Sequence, residues 1–287
     1  MGAMNHATVG LLHPGEMGAA VGRCLADGGH AVLWLPEGRS AASAERAEAA
    51  GLIAVGSLAA LVRQADVIVS VCPPHAALDV ARQMAGFAGL YVDANAISPA
   101  TAREVAAIVE AGGAAYVDGG IIGSPPVTPG HTRLYLSGER APEVSRLFEG
   151  TNLEARLVDR DPAAGAASAV KMAYASWTKG SAALLLAARA LARAEGVEDV
   201  LVAEWAMSQP GLADRSARAA GSAAAKGWRW VAEMEEIAAT MAAAGLPDGF
   251  HLAAAEIYRR SRHSCGPGLE EVLAALECHA QDRPVEG

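Results

Sequence analysis

The stretch of sequence that most constrains the fold lies near the start of the chain, at residues 7–22. Here a short apolar run, Val9 to Leu12, meets a glycine-containing turn, and an Ala- and Val-rich helical pattern follows at once. A strand, a tight turn and a helix in this order are the context in which glycines cradle a nucleotide phosphate. Gly15 lets the backbone approach a pyrophosphate, Gly18 lets the helix pack close to the strand, and the helix N-terminus attracts the anion.

This turn departs from the G-x-G-x-x-G pattern of dinucleotide-binding folds. If Gly15 and Gly18 are the second and third glycines, His13 stands in the place of the first, and Pro14 stiffens the chain beside it because its ring fixes φ. An ordinary strand-to-helix turn is the alternative interpretation. On the nucleotide interpretation, the cofactor contacts in this turn are His13, Pro14, Gly15, Glu16, Met17 and Gly18.

Downstream of the turn, apolar runs of strand length alternate with helical patterns as far as residue 160. This alternation predicts an α/β fold, with a Rossmann domain built on a doubly wound parallel sheet over residues 1–160. A Gly- and Pro-rich loop at 119–131 is long enough to be functional. The predicted strands after the first lie at residues 31–35, 52–55, 66–71, 90–93, 114–118, 132–137 and 154–158.

The loops at the carboxyl ends of these strands should line the cofactor crevice. The loop at residues 36–40 lies where a dinucleotide fold reads the adenosine ribose, and it carries both an acid, Glu37, and a base, Arg39. Arg39 offers a guanidinium fork and Ser40 a hydroxyl that also caps the next helix, which favours NADP and leaves NAD possible. Plain loop charges are the alternative. The cofactor contacts predicted in later loops are Cys72, Pro73, Pro74 and Asn95.

From Asp161 onwards the sequence contains no convincing strand. Residues 161–287 are therefore predicted to form a helical domain for substrate binding and dimerisation. Its first helix is too long and too apolar to be solvated on every side, so we expect a homodimer that buries it. The predicted helices lie at residues 163–195, 198–208, 212–225, 228–244, 248–261 and 268–280.

Charge and cysteine usage argue against several classes of function. The formal net charge of −9 argues against a basic face for nucleic acid, and no uninterrupted apolar segment is long enough to cross a membrane. The four cysteines form no C-x-x-C pair, which predicts a reduced, cytoplasmic protein. No metal is expected. The candidate ligands His263, Cys265, Cys278 and His279 are spaced in a way that fits no usual zinc-binding pattern.

One face of the long helix carries groups that can move a proton. Lys171, Tyr174, Ala175 and Thr178 share that face, because residues three, four and seven apart are neighbours on a helix. Lys171 and Tyr174 can each donate a proton to a substrate oxygen or nitrogen in a cleft. A solvated surface lysine is the alternative interpretation.

Four local patterns resemble those of the 6-phosphogluconate dehydrogenase-like superfamily, which includes the β-hydroxyacid dehydrogenases and, more remotely, the imine reductases. Residues 9–18 resemble its cofactor signature, and residues 93–99 resemble its D-x-S-T-x-x-P segment. Residues 118–124 lie where that family binds substrate, and residues 165–175 resemble the segment that carries its catalytic lysine, here Lys171. The resemblance covers nearly the whole chain and is closest to a branch with a distinctive C-terminal domain.

The resemblance implies an NADP-dependent oxidoreductase with Lys171 as acid or base and Tyr174 assisting. Two polar anchors of the family are replaced, because Ile122 stands in the place of a serine and Ala175 in the place of an asparagine. An apolar site grips a carboxylate poorly, so an imine or ketone reductase is the alternative to a dehydrogenase for a small hydroxy or carbonyl compound. The implied substrate-binding residues are Ile122, Gly123, Ser124, Lys171 and Tyr174.

Two further alternatives remain open on the sequence. The missing polar anchors motivate a protein that binds NADP without catalysing a reaction. The departure at His13 and Pro14 motivates an enzyme that uses this scaffold without a nucleotide. A small-molecule substrate is expected for the dehydrogenase or reductase.

Overall fold

The structure is a computed structural model that describes residues 6–158 and 165–278. Within these ranges, eight strands form one sheet. The strands are β1 Thr8–Leu12, β2 Ala31–Trp34, β3 Ile53–Ala54, β4 Val67–Ser70, β5 Leu90–Asp93, β6 Ala115–Ile122, β7 Thr132–Ser137 and β8 Leu153–Leu157.

Helices alternate with the strands and then continue alone. Those of the first half are α1 Glu16–Asp27, α2 Ala41–Ala49, α3 Leu58–Gln64, α4 Ala77–Gln83, α5 Pro99–Ala111 and α6 Ala141–Arg146. Those of the second half are α7 Ala166–Ala194, α8 Glu198–Ser208, α9 Leu212–Ala243, α10 Gly249–Ser261 and α11 Leu269–Cys278. In the described part of the chain, no helix is long and apolar enough to cross a membrane.

The order of the strands across the sheet is β3-β2-β1-β4-β5-β6-β7-β8. The strands from β3 to β6 run parallel in the order that characterises doubly wound dinucleotide-binding folds. The prediction of an α/β Rossmann fold followed by helices is therefore confirmed. The sheet is not parallel throughout, because β7 runs antiparallel to β6 and β8 pairs parallel with β7.

Strand β6 is longer than predicted and includes Gly119 and Gly120, which the sequence pattern places in a loop. Gly119 pairs with Leu136 and Gly120 with Tyr135, so the antiparallel ladder to β7 outweighs the weak strand propensity of glycine. A Cβ at Gly119 would lie 2.9 Å from the backbone oxygen of Asp93. Glycine is therefore used here for close packing, and the connecting loop begins only after β6.

Helix α9 is one helix where the sequence predicts two, at residues 212–225 and 228–244. The predicted break falls at Gly227, which lies inside the continuous helix. A Cβ at Gly227 would lie 3.5 Å from the ring of Tyr258 on α10. This is an ordinary contact distance, so Gly227 is a buried position of α9 that faces α10, and it does not end the helix.

The contacts divide the chain into two compact units, Met1–Met172 and Ala173–Gly287. The domain boundary that the sequence predicts between residues 160 and 161, and the start of the helix predicted at residues 163–195, lie outside the described residues. In the second unit, the Tyr258 hydroxyl donates a hydrogen bond to the Lys179 carbonyl oxygen at 2.6 Å, which ties α10 to α7. The buried Arg189 guanidinium contacts Glu198 and donates to the Ser216 hydroxyl, which ties α7 to α8 and α9.

Each face of the sheet in the first unit carries its own apolar core. Helices α1, α2 and α6 cover one face, and α3, α4 and α5 cover the other. The strands are buried on both faces, as expected for parallel strands that read as continuous apolar runs. The free edge for a ligand is therefore the carboxyl edge, where β1, β2, β4 and β5 end in loops.

The turn after β1 places a non-glycine residue in the left-handed region. His13 has φ +67°, the conformation for which glycine is usually chosen and which histidine tolerates better than most residues. The Gly15 N–H donates a hydrogen bond to the His13 carbonyl oxygen at 2.8 Å, which closes a three-residue turn around Pro14. A Cβ at Gly18 would lie 2.3 Å from the same carbonyl oxygen, so only glycine fits at this point of α1.

Gly18→Ala is expected to lower the free energy of unfolding by at least about 2 kcal/mol, because the added Cβ meets a backbone atom that cannot rotate away. Gly15→Ala is the matched control. Gly15 has φ −69°, and a Cβ there would meet no atom within 4 Å, so unfolding should change by less than about 0.5 kcal/mol. Urea unfolding of the two variants measures both values, and equal losses would contradict the packing argument.

Four buried polar residues lie side by side across β4, β5, β6 and β7, and we call them the polar row. The register pairs Ser70 with Asp93, Asp93 with Asp118, and Asp118 with Ser137. Each is at most 2% exposed. Burying two neighbouring carboxyl groups is costly unless hydrogen bonds or protonation compensate the charge.

The two carboxyl groups of the polar row have different surroundings. The Asp118 carboxylate accepts three hydrogen bonds, from the Ser137 hydroxyl and from both the N–H and the hydroxyl of Ser168. Asp93 Oδ1 accepts one, from the Asn95 N–H, and within the described residues Asp93 Oδ2 has no partner. Burial, with the neighbouring Asp118 charge adding to it, raises the pKa of Asp93 to about 7. Protonation of Asp93 below pH 7 therefore removes one of the two buried charges.

Asp93→Asn is expected to gain stability relative to the wild type as the pH rises from about 4 to 7. The pKa of Asp93 is about 7 in the fold against an ordinary 3.8, so folding takes up a proton in this window. The wild-type free energy of unfolding therefore falls as the pH rises, whereas asparagine keeps the neutral state. The gain should reach about 4 kcal/mol at pH 8.

Urea unfolding between pH 4 and 8 measures this difference, and the titration of other groups cancels between the two proteins. Asp79→Asn is the control, because Asp79 is an exposed partner of Arg82. A difference between Asp93→Asn and wild type that stays constant with pH would contradict the assignment of the proton.

Candidate cofactor and active site

The candidate site begins with the turn between β1 and α1, which faces the carboxyl edge of the sheet. The Met17 and Gly18 N–H groups in the first turn of α1 have no acceptor within the helix, and the helix dipole makes this end positive. A Cβ at Gly15 would meet nothing within 4 Å, so the space in front of the turn is open. Glu16 begins α1 with an exposed side chain, and Pro14 is buried. These features fit a diphosphate.

His13 contributes shape to this turn and no positive charge at neutral pH. Its side chain is half-buried, and its Nδ1 atom is buried without a hydrogen-bond partner in the described part of the chain. Burial, together with the nearby Arg39 charge, lowers the pKa of His13 to about 4. The imidazole is therefore neutral at pH 7, so the backbone and not this side chain provides the attraction for phosphate.

A small cavity of about 30 Å³ lies beside the turn, between the ends of β1 and β2. His13 and Arg39 bring nitrogen atoms to a lining that is otherwise mostly aliphatic. The cavity holds little more than one water molecule, so it is too small to enclose an adenosine base. Its other lining residues are Leu11, Leu12, Leu35, Leu58, Val80, Gln83 and Met84.

The end of β2 and the start of α2 bring polar groups together next to Arg39. Ser40 caps α2 by accepting the Ser43 N–H, and the two hydroxyls lie 3.1 Å apart. Arg46, one turn further along α2, donates to the Ser43 hydroxyl at 3.1 Å and to the Pro14 carbonyl oxygen at 3.5 Å. Sequence reasoning identified Arg39 and Ser40 but missed Ser43 and Arg46. Ser40, Ser43 and Arg46 are spaced three residues apart, which makes them neighbours on a helix, and this spacing was the available signal in the sequence.

Asn95 holds the loop after β4 in place. Its Oδ1 atom accepts the Cys72 N–H at 2.6 Å, and its Nδ2 atom donates to the Ser70 hydroxyl at 3.2 Å. Pro73 is exposed, and Pro74 begins a short 3-10 helix that leads into α4. Burial raises the pKa of the buried Cys72 thiol to about 12, so this thiol stays protonated. Both ends of the Asn95 amide are therefore engaged within the protein, where they hold this loop.

Lys171 lies in the second turn of α7, against β6. A Cβ at Gly120 would lie 2.7 Å from the Ala167 carbonyl oxygen and 3.0 Å from the Lys171 Cβ, so glycine allows this helix to touch the strand. Asp118 and Ser168 join the same strand to the same helix one turn earlier. Sequence reasoning placed Lys171 in the site but gave no role to Asp118 or Ser168.

The other residues predicted to bind substrate have varied surroundings. Ile122 ends β6 with a buried apolar side chain. Gly123 has φ +128°, and a Cβ there would lie 2.5 Å from the His131 carbonyl oxygen, so it is a turn glycine. Ser124 has an exposed side chain and accepts a hydrogen bond from the Thr132 hydroxyl through its carbonyl oxygen. Tyr174 belongs to the second unit, where it is 48% exposed.

In the first unit, the structure therefore gathers two groups of predicted residues at one edge of the sheet. The first joins the glycine turn with Arg39 and Ser40, and the second joins Lys171 with β6 and Ile122. Among the described residues, no group of three or more histidine, cysteine, aspartate or glutamate side chains could hold a metal ion.

Two protein-family models match separate parts of the chain. Residues 7–141 match the family described as the NAD binding domain of 6-phosphogluconate dehydrogenase. Residues 192–261, which run from the end of α7 to the end of α10, match the family described as a domain of unknown function, DUF1932. A curated relative from Methanothermus fervidus, an uncharacterised 28.5 kDa protein, is 28% identical over 167 residues. That alignment spans 58% of this chain and 63% of the relative's length.

Several solved structures share the fold over most of the chain. A conserved protein described as structurally similar to 3-hydroxyacid dehydrogenases is 29% identical, with a TM-score of 0.65 over 89% of this chain and 98% of its own. The 3-hydroxyisobutyrate dehydrogenase of Mycobacterium tuberculosis is 22% identical, with a TM-score of 0.66 over 94% and 99%. A reductive aminase from Aspergillus terreus is 20% identical, with a TM-score of 0.56 over 95% and 99%.

These matches agree with the glycine turn, the strand order and the open space before α1. The matched region, residues 7–141, has the fold of a nicotinamide-nucleotide-binding domain. The chain thus contains one region, residues 7–141, that matches the NAD binding domain of 6-phosphogluconate dehydrogenase and a second, residues 192–261, that matches DUF1932.

Proposed function

We propose that this protein is an NADP-dependent oxidoreductase acting on a small hydroxy or carbonyl compound, with Lys171 as the acid or base. The observation that carries the proposal is the close approach of Lys171 on α7 to Gly120 on β6. Strand β6 belongs to the same sheet whose carboxyl edge presents the glycine turn. When bound, the nicotinamide supplies or accepts the hydride. The residues of the chain then have to hold the cofactor and move one proton.

Binding of the cofactor diphosphate rests on main-chain groups. The Met17 and Gly18 N–H groups and the positive end of α1 attract the two phosphates, and Gly15 leaves room for them. Asn95 accepts the Cys72 N–H and so fixes the position of the Cys72–Pro74 loop beside this turn. We take the cofactor domain to extend to about residue 160, as the sequence predicts.

The preference for NADP over NAD rests on the cluster of Arg39, Ser40, Ser43 and Arg46. The Ser40, Ser43 and Arg46 side chains contact one another at the start of α2, and Arg39 directly precedes them in the chain. Guanidinium groups and hydroxyls suit the 2′-phosphate of NADP, because arginine binds phosphate through paired N–H donors. Glu37, which would bind the free ribose hydroxyls of NAD, is exposed in the same loop. The cluster therefore favours NADP.

Arg39→Ala is expected to raise the Kd for NADPH about 10-fold or more, because it removes a charge-assisted contact to phosphate, and to leave the Kd for NADH within about 2-fold. Fluorescence titration with the two reduced cofactors measures both constants. Arg63→Ala, an exposed arginine on α3, is the matched control. Equal weakening of NADPH and NADH would contradict the assignment of the 2′-phosphate site.

The proton chemistry falls to Lys171. Its ammonium donates a proton to the developing alkoxide when a carbonyl is reduced, and the neutral amine accepts that proton when an alcohol is oxidised. Tyr174 lies three residues further along α7, and we propose that its hydroxyl assists. The substrate is held at the end of β6 by Ile122, Gly123 and Ser124.

A second candidate substrate class follows from the two apolar replacements. Ile122 and Ala175 are both buried and apolar, so neither provides a hydrogen bond to a carboxylate. This favours an imine or a ketone without a charged group as the substrate. The reductive aminase structure with this fold was solved with NADPH4, cyclohexanone and allyl amine, which makes that ketone and amine suitable probes.

Lys171→Ala is expected to lower kcat by about 10²- to 10⁴-fold while the Kd for NADPH stays within about 3-fold. The assays are oxidation of 3-hydroxyisobutyrate with NADP and reduction of cyclohexanone with NADPH, with and without allyl amine. Lys226→Ala, an exposed lysine on α9, is the control. Undiminished turnover by Lys171→Ala would remove this lysine from the mechanism. Tight NADPH binding by the wild type without turnover on any probe would support a non-catalytic NADP-binding protein.

We further propose that the protein is a homodimer through its helical part. Trp177, Leu184 and Leu191 lie seven residues apart along α7 and are 69%, 55% and 64% exposed, so they form one apolar stripe. A second copy would cover this stripe, and sedimentation velocity of Leu184→Glu against wild type tests it. Cys24, Cys72 and Cys265 are free thiols, which agrees with the proposal of a reducing, cytoplasmic location.

A further inference from the structure

The carboxylate of Asp118 connects the centre of the sheet to the start of helix α7. It is fully buried, and both of its oxygens are engaged. Oδ1 accepts the Ser168 hydroxyl at 2.6 Å, and Oδ2 accepts the Ser168 N–H at 2.9 Å and the Ser137 hydroxyl at 3.0 Å. These are 50 and 19 residues away in sequence, so the contact exists only in the folded chain.

This carboxylate caps α7 from another element. The N–H groups in the first turn of a helix have no partner within the helix and are usually satisfied by a side chain just before it. Here the Ala167 N–H donates to the Ser137 hydroxyl at 3.0 Å, and the Ser168 N–H donates to Asp118. A negative charge at this end of a helix is also favoured by the helix dipole. The sheet itself therefore sets where α7 begins.

The same contact sets the position of Lys171. Lys171 follows Ser168 by three residues, so the two lie on one side of the helix. Gly120 follows Asp118 by two residues, so the two lie on one face of β6. Two contacts therefore fix the start of α7 against the strand, both along the helix axis and in rotation about it. They are the Asp118–Ser168 hydrogen bonds and the Gly120–Lys171 contact.

We infer that Asp118, acting through Ser168 and Ser137, is the positioning residue for Lys171. The inference rests on the proposed function insofar as it takes Lys171 as the proton donor. A neutral side chain at position 118 would accept fewer of the three donors and would lose the attraction to the helix end. The first turn of α7 would then loosen, and a shift of about 1 Å in a catalytic group can cost about 10²-fold in rate.

A simple structural role for Asp118 makes a different prediction. If the carboxylate only stabilised the fold, its loss would affect all activities of the protein to the same degree, including the residual activity without Lys171. A positioning role requires that its loss has no effect once Lys171 is gone, because residues that act as one unit are not additive.

The experiment compares Asp118→Asn, Lys171→Ala and the double variant in the assays with NADPH and cyclohexanone, or with NADP and 3-hydroxyisobutyrate. Asp118→Asn should lower kcat about 10²-fold, with KM for cofactor and substrate within about 3-fold. In the Lys171→Ala background the same substitution should change the rate by less than 2-fold. An equal loss in both backgrounds would overturn the inference.

Two readouts do not depend on turnover. Hydrogen exchange of the peptide covering residues 166–171 should accelerate about 10-fold or more in Asp118→Asn. The rate at which an amine-acetylating reagent labels Lys171, measured by mass spectrometry, should change at least 3-fold while that of Lys226 does not. Unchanged exchange and labelling would overturn the inference. Absence of turnover in the wild type would instead overturn the proposed function and leave these two readouts decisive for the positioning role.

Two further variants control for folding. Asp66→Asn removes another carboxylate that accepts a backbone N–H, that of Thr8 at 2.9 Å, at the opposite edge of the sheet. It should leave exchange at residues 166–171 and the rate unchanged. Ser168→Ala removes only the hydroxyl contact and serves if Asp118→Asn does not fold. It should give the same pattern with a loss of about 10-fold in kcat, and a normal rate with normal exchange would overturn the inference.

Discussion

The polar row across β4 to β7 is the interaction on which the rest of the structure depends. Two carboxyl groups, Asp93 and Asp118, are buried next to one another in the middle of the sheet. Such a pair is stable only if hydrogen bonds or protonation compensate the charge, and here Ser137 and Ser168 donate three hydrogen bonds to Asp118. Asp93 accepts the Asn95 N–H, and burial raises its pKa to about 7.

The two ends of the polar row serve the two parts of the candidate site. At one end, Asn95 connects Ser70 to the Cys72 loop beside the cofactor turn. At the other end, Ser168 connects Asp118 to the helix of Lys171. Cofactor loop and lysine helix are therefore both tied to four adjacent strands, which move little relative to one another because each is hydrogen-bonded to its neighbours. The proposed hydride transfer with a timed proton step would require preorganisation of this kind.

Close backbone approach is the second constraint, and it explains where glycine is needed. Gly18 and Gly120 each stand where a Cβ would collide with a backbone oxygen, of His13 and Ala167 respectively. Gly18 allows α1 to begin close to the turn that is proposed to bind a diphosphate. Gly120 allows α7 to bring Lys171 next to β6. His13 shows the opposite case, because the left-handed conformation there is held by the turn around Pro14 without a glycine.

Local sequence determined the fold class, most of the helices and strands, the glycine turn and Lys171, because apolar periodicity and turn residues act within a few positions of one another. It placed Gly119 and Gly227 wrongly as breaks, since their neighbours across the ladder and on α10 are distant in sequence. Asp118, Ser168 and Arg46 gained their roles only in the tertiary structure. A residue's hydrogen-bond partners 50 positions away depend on strand order and helix packing, and no local pattern encodes that distance.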